Sequence, residues 1–184
     1  MFYGLGMHRS GVLFCLVLVA PLVVGCAASD DRMMRHTHDH TFSSIGRAVA
    51  AARAAYDTYL ATADQVSADG GAGVESLRPL VTDEQFVLEQ AHADLLRLGG
   101  YSTHGSSTYD GVKLMQQFDY GLGVASVTIR VCLDTSQLRT IDARGYDITA
   151  GPPRRAYDVT FVTSDVPPFT LLLEGADPSE PSTC

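Results

Sequence analysis

Two groups of side chains in this sequence have residue types that could bind a metal or perform chemistry. In the first, His36, His38 and His40 alternate, and alternate residues of an extended chain point the same way, so their imidazoles could meet zinc, copper or nickel. A histidine-rich polar linker explains the same residues, because metal sites usually draw ligands from a rigid frame. A pH-responsive tether is a third explanation, since free imidazoles gain charge near about pH 6.5. We leave these explanations open, assign no metal site and expect no cofactor.

The second group lies in residues 99–111 and contains His104, Ser106, Ser107 and Asp110. A nucleophilic triad could be drawn from these residues, but neighbours on one loop seldom have the fixed geometry that such catalysis requires. A polar connection between a helix and a sheet is the better interpretation. The chain also lacks a Gly-x-Ser-x-Gly elbow, a P-loop, Cys-x-x-Cys and His-Glu-x-x-His. We therefore assign no catalytic residue.

Residues 1–25 have the three-part layout of an export signal. A weakly basic start (His8, Arg9) precedes an apolar run over residues 12–24, and small residues follow. A membrane-spanning helix needs roughly 20 apolar residues, whereas this run is shorter and contains Pro21. The segment is predicted to direct export.

The end of that run, Val23-Val24-Gly25-Cys26, resembles the bacterial lipobox. The resemblance implies that the chain is cut before Cys26 and that the Cys26 thiol carries lipid; an uncleaved anchor or an ordinary signal peptide are the alternatives. Each buried methylene contributes about 0.8 kcal/mol, so two or more acyl chains hold a protein firmly at a bilayer. We expect a lipid-anchored protein on the extracytoplasmic face of the cell membrane, with residues 26–43 as a flexible tether.

The remaining cysteines form an even pair. Of four in the chain, Cys15 would leave with the export signal and Cys26 would carry lipid, so Cys132 and Cys184 remain in an oxidising compartment. We predict a disulfide between them, with two free thiols as the alternative.

Composition indicates one folded domain and argues against nucleic acid as a partner. The chain has 184 residues, of which 46% are apolar and 18% charged, which is ordinary for a globular protein. Its net charge is −8 and Lys113 is its only lysine, so no basic stripe could neutralise a phosphate backbone.

Hydrophobic periodicity predicts helices first and strands second. A stripe of three- and four-residue steps predicts a helix over residues 44–67; its members are Ile45, Val49, Ala52, Tyr56, Tyr59, Leu60, Ala63 and Val66. A short helix is possible over residues 74–80. Thr82 and Gln85 fit a capping box, in which each side chain would bond the other residue's backbone, before a helix over residues 86–98. The apolar residues of that helix are Val87, Leu88, Ala91, Leu95 and Leu98.

After Gly100 the period changes to two, which is typical of strands with one buried face. We predict strands over residues 112–118, 125–133, 157–161 and 169–173, and a hairpin over residues 138–149 that turns at residues 143–145. The predicted fold is α+β: N-terminal helices packed into a curved, mainly antiparallel sheet over residues 44–175, followed by a tail, 176–184.

This arrangement resembles exported lipoproteins of high-GC Gram-positive bacteria that are similar to the nuclear transport factor 2 superfamily, over roughly residues 45–175. The positions that carry the resemblance are Tyr56-x-x-Tyr59-Leu60, Gly70-Gly71, Leu77-x-Pro79, Thr82, Leu95-x-x-Leu98-Gly99 and Val131-Cys132-Leu133-Asp134. It implies a cone-like fold with a cavity between helix and sheet. Some members are isomerases or hydratases that use a cavity carboxylate, and others only bind or assemble.

Three residues are candidates for lining such a cavity. Tyr56 and Tyr59 lie on the first helix and could line a pocket, although aromatic residues on a core stripe are more often packing. Asp119 is the nominal candidate for the carboxylate that the resemblance implies.

The leading hypothesis is a non-catalytic module that binds an envelope protein or a small hydrophobic ligand. The alternative is a small-molecule isomerase or hydratase of the steroid-isomerase type, with Asp119 as acid and a tyrosine donor. A homodimer formed through the open sheet is a third possibility.

Overall fold

The computed structural model of the protein describes residues 41–165, 167–179 and 184. The predicted export signal, Cys26 and the three histidines at positions 36, 38 and 40 lie outside the described residues. Within the described part, no helix has the length and apolar character needed to cross a bilayer.

From residue 41 onward, three helical segments precede the strands, as the hydrophobic periodicity predicts. Helix α1 spans Ile45–Ala68, a 3-10 helix spans Val74–Leu80, and helix α2 spans Asp83–Gly99. The Thr82 hydroxyl caps α2 by accepting a bond of 3.3 Å from the Gln85 backbone N–H. The reciprocal half of the predicted capping box is wrong, because the Gln85 side chain donates instead to Glu89 Oε1 at 2.7 Å.

Six strands follow the helices: β1 Ser102–His104, β2 Thr108–Gly121, β3 Val124–Asp134, β4 Arg139–Ile141, β5 Arg154–Thr163 and β6 Leu171–Pro178. Four of them form an antiparallel sheet in the order β2-β3-β5-β6, and β1 pairs with β4 in a separate two-stranded sheet. The predicted α+β class and the order of helices before strands are confirmed.

The core lies between α1 and one face of the four-stranded sheet. Val127, Ile129 and Val131 of β3 are fully buried there, as alternate residues of a half-buried strand should be. The apolar stripe predicted for the first helix faces this core except at its start, where Ile45 is 64% exposed and Ala48 is buried instead.

The opposite sheet face is polar. Arg130 makes two bonds of 2.7 Å to the Asp158 carboxylate across β3 and β5. Cys132 lies on the same face and forms the predicted disulfide with Cys184, which ties the end of the chain to the outside of the sheet.

Both domain boundaries extend beyond those drawn from the sequence. Phe42, assigned to the tether, packs against the core, so folded structure begins before residue 44. At the other end β6 continues to Pro178, three residues into the predicted tail.

The predicted hairpin over residues 138–149 is only partly confirmed. Its turn is present, with the Gly145 N–H donating to the Asp142 carbonyl at 2.9 Å. Its single strand, β4, pairs mainly with β1 rather than with residues further along the hairpin. The sequence of one hairpin does not reveal this partner, which comes from the connection after α2.

Candidate functional site

Tyr56 is a packing residue at the centre of an aromatic cluster. Its ring centroid lies 5.0 Å from that of Tyr109 and 6.2 Å from that of Phe161, and only 2% of the residue is exposed. Burial raises the pKa of the Tyr56 hydroxyl well above its ordinary value. Tyr56 thus fills the space between helix and sheet where the family resemblance implies a cavity.

Tyr59 joins α1 to α2. Its ring stacks on Tyr56 with centroids 6.1 Å apart, and its hydroxyl donates to Glu89 Oε1 at 2.7 Å. Burial first, and the Glu89 charge second, raise the pKa of Tyr59. This contact holds the two helices together and leaves the hydroxyl engaged by a carboxylate of the protein itself.

Asp119 binds the segment that leads into α1. Its Oδ1 accepts from the Thr41 hydroxyl at 3.3 Å and from the Gly121 N–H at 3.0 Å, and its Oδ2 accepts from the Phe42 N–H at 3.4 Å. Of the three predicted ligand-binding residues, Tyr56 and Tyr59 thus contact each other in the aromatic cluster, whereas Asp119 lies near the end of a strand.

The side chains considered as a triad are likewise engaged by different partners. Ser107 donates its N–H and its hydroxyl to the Asp64 carboxylate, at 2.7 and 2.8 Å. His104 Nε2 lies 2.9 Å from the Ser102 hydroxyl, and Asp110 pairs with Arg154. The predicted loop over residues 99–111 is shorter in the structure, because His104 ends β1 and Asp110 lies in β2. Ser107 belongs to the polar loop between these strands and is held against α1 by Asp64.

A cleft that sequence reasoning missed lies between α1 and this loop. It encloses about 370 Å³ and is lined by Arg53, Asp57, Asp64, Ser107 and Tyr109 among others. The Tyr109 hydroxyl donates to Asp57 Oδ1 at 2.6 Å. Desolvation first, and the bond to Asp57 second, raise the pKa of Tyr109 to about 12. Two aspartates seven residues apart on one helix lie on the same side, and this spacing was the available sign of the cleft.

A second cleft, of about 560 Å³, lies between the start of α2 and the connection from β5 to β6. Thr82, Asp83, Ser164, Asp165 and Thr170 supply polar atoms to its lining. The first cleft is lined largely by polar and charged groups, which suits water or a polar ligand better than a small hydrophobic ligand. The second has a mixed lining, because Val81, Val162 and Leu172 also contribute to its walls.

Helix α2 turns its most apolar side to solvent, which the sequence analysis did not anticipate. Five apolar residues, the α2 stripe, lie on one side of this helix: Val87, Leu88, Ala91, Leu95 and Leu98. The four large ones are between 62% and 87% exposed. The residues that α2 buries are instead Phe86, Ala93 and Leu96.

The physical reason is a close approach between α2 and the loop after α1. Gly71 has a φ of +86°, and a Cβ added there would lie 2.2 Å from the Ala93 carbonyl oxygen. On the same buried side, the Arg78 guanidinium stacks 3.9 Å above the Phe86 ring. Small residues and a stacked arginine thus contribute to the contact beside Leu96, and the other large aliphatic side chains of α2 point away.

The α2 stripe has an acidic border. Asp83 and Glu84 stand in the first turn of α2. The Asp83 side chain is 92% exposed, and its Oδ1 lies 3.6 Å from Nη1 of Arg78. Asp94 lies beside Leu95 and pairs with Arg97. An exposed apolar stripe with acidic neighbours could bind an apolar groove bordered by positive charge.

The described residues contain no group of three or more histidine, cysteine or acidic side chains placed to hold a metal ion. The chain matches no protein-family model and no curated protein sequence.

Proposed function

We propose that the protein is a lipid-anchored, non-catalytic module of the extracytoplasmic face of the cell membrane, which binds another envelope protein through the α2 stripe. The lipobox-like sequence before Cys26 supports the anchor. The order of helices before an antiparallel sheet supports the resemblance to the nuclear transport factor 2 superfamily.

One observation carries the binding role: the large apolar side chains of α2 are more than half exposed although their spacing is that of a buried helix face. Contiguous exposed apolar surface usually marks a binding site in soluble proteins. A helix that presents residues at such spacing fits the apolar groove of a partner, as in other helix-in-groove complexes.

Charge selects the class of partner. The first turn of α2 carries Asp83 and Glu84, so two copies whose α2 helices packed in parallel through the stripe would bring like charges near each other. A partner whose apolar groove carries lysine or arginine at its border would gain from the same charges. We therefore assign a basic-bordered envelope protein as the partner rather than a second copy of this chain.

Photo-crosslinking in intact cells tests this assignment. Leu95→benzoylphenylalanine places the reactive ketone on the α2 stripe, and Arg144→benzoylphenylalanine, at a side chain 78% exposed in the β4 hairpin turn, is the matched control. We expect a product of one defined mass from the Leu95 variant alone, to a protein other than this chain. Glu84→Gln in the same background should reduce its yield.

Three results would contradict the assignment. A product of twice the chain mass would mean that the stripe binds a second copy. Equal crosslinking from both positions would mean non-specific capture. An unchanged yield in Glu84→Gln would mean that the acidic border has no part in recognition.

A further inference from the structure

The hairpin between β2 and β3 ends in a cluster of exposed apolar side chains, in contrast to the polar side chains on the outer face of the sheet. We call this cluster the apolar tip, and its members are Phe118, Tyr120, Leu122, Val124 and Phe169. Each of the five is between 42% and 86% exposed. The rings of Phe118 and Tyr120 stack with centroids 6.1 Å apart, and the Phe169 ring lies against Gly123. The cluster is thus ordered and contiguous although little of it is buried.

Leu122 is an unusual residue for the turn between β2 and β3. Gly121 pairs with Val124, so Leu122 and Gly123 form a two-residue hairpin loop. Both have positive φ, +55° and +85°, which is the type I′ geometry that favours asparagine before glycine. A leucine in this position is strained, and at 86% exposure it gains little from packing within the domain. A strained apolar residue at an exposed turn indicates a role outside the fold.

The chain enters the folded domain beside this tip. The Thr41 hydroxyl and the Phe42 N–H both bond the carboxylate of Asp119, three residues before Leu122. Cys26 precedes Thr41 by fifteen residues (41 − 26). Because an extended chain spans at most about 3.6 Å per residue, Thr41 lies within about 55 Å of the Cys26 sulfur, whatever the path between them. A lipid on Cys26 would therefore keep the domain within reach of the bilayer, with the tether joined to the domain beside the tip.

The surroundings of the tip are poor in charge. Residues 114–129 contain one charged side chain, Asp119, and residues 159–173 contain one, Asp165. Phenylalanine, tyrosine and leucine are side chains that lie well at the boundary between headgroups and acyl chains. Attraction to anionic lipid contributes little here, since neither segment contains lysine or arginine.

We infer that the apolar tip inserts into the surface of the lipid bilayer to which Cys26 is anchored, and so sets which side of the domain faces the membrane. The inference rests on the proposed lipid anchor. Insertion at this second point would fix the orientation of the domain, whereas a lipid on a tether alone would leave it free to rotate.

The chain contains no tryptophan, so a single substitution supplies an unambiguous reporter of depth. Tyr120→Trp exchanges one aromatic side chain for another at the tip. Leu98→Trp, at the far end of the α2 stripe and 87% exposed, is the control. Each full-chain protein is extracted from membranes and reconstituted into phosphatidylcholine vesicles whose acyl chains carry bromine.

We expect the lipid bromine to quench the emission of Tyr120→Trp, and aqueous acrylamide to quench that of Leu98→Trp. Adding Leu122→Asn to the Tyr120→Trp protein removes one large apolar side chain while keeping a residue that suits the turn. The ratio of inserted to free tip should then fall by about tenfold or more. High salt should leave the bromine quenching unchanged.

Two results would overturn the inference: quenching of Tyr120→Trp by acrylamide and not by bromine, or shielding from both, which would place a protein over the tip. Intact-mass spectrometry of the same samples shows whether Cys26 carries lipid, independently of whether the tip inserts. If no acyl chains are found, the proposed function fails. Titration with brominated vesicles then still decides the tip: quenching supports insertion and its absence refutes it.

Discussion

The strained turn at Leu122 gives the sharpest prediction about the fold. Leu122 and Leu98 are equally exposed, at 86% and 87%, but differ in backbone: Leu122 has a φ of +55°, whereas Leu98 lies in helix α2. The same substitution, leucine to asparagine, should therefore have opposite effects on stability at the two positions.

The magnitudes follow from backbone preferences. Left-handed geometry costs an ordinary residue roughly 1–2 kcal/mol, and asparagine recovers part of this, so Leu122→Asn should raise the free energy of unfolding by about 0.5–1 kcal/mol. Asparagine is a poorer helix former than leucine, so Leu98→Asn should lower it by about 0.5 kcal/mol. The expected shifts in Tm are of the order of 1–4 °C upward and about 1–2 °C downward.

Urea unfolding of the mature protein in detergent, followed by circular dichroism, measures both variants. The midpoint should rise for Leu122→Asn and fall for Leu98→Asn, with unchanged slopes. If both midpoints move in the same direction by similar amounts, exposure alone determines the effect and the turn is not strained.

Three further predictions concern contacts within the domain. Cys184→Ser opens a loop whose ends are 52 residues apart and should lower the free energy of unfolding by about 4 kcal/mol. Reductant should lower the free energy of unfolding of the wild type by the same amount and should leave that of the variant unchanged. Tyr59→Phe removes the hydrogen bond to Glu89 and should lower the free energy of unfolding, measured with urea, by about 1.5–3 kcal/mol. Tyr146→Phe, at a residue 63% exposed, should change it little. Equal losses of stability in the two variants would refute the role of Tyr59 in holding the helices together. Arg130 lowers the pKa of Asp158, so their ion pair stabilises the folded protein while Asp158 is ionised. This stabilisation is present above the unfolded pKa of about 3.9 and is lost as the pH falls through the pKa of Asp158 in the folded protein. Arg130→Met should therefore flatten the acid end of the stability curve, and Arg155→Met, on the strand that carries Asp158, should not.

Periodicity predicted the helices and most strands because it reports which residues share a side. It could not predict which side of α2 would be buried, because that depends on the approach of Gly71 to Ala93, more than twenty residues away. Leu88 and Leu95 were recognised as apolar residues of the helix, but their spacing does not show that they lie in solvent. The pairing of β4 with β1 was hidden for the same reason.

For the site residues, too, the sequence could predict some contacts and not others. The partner of Cys132 could be predicted by counting cysteines, and the structure confirms it. The bonds of Asp119 to Thr41 and Phe42 could not, because they join positions almost eighty residues apart that share no motif. The turn at the apolar tip lies between two of the predicted strands, but only the φ of Leu122 and its exposure reveal that the leucine is unusual.

Intact-mass spectrometry of the membrane fraction tests the proposed anchor most directly. The account predicts a chain that begins at Cys26 and carries the added mass of acyl chains, and a Cys26→Ser variant that lacks this mass. A wild-type chain recovered from the membrane without acyl mass, or unchanged by Cys26→Ser, would contradict it.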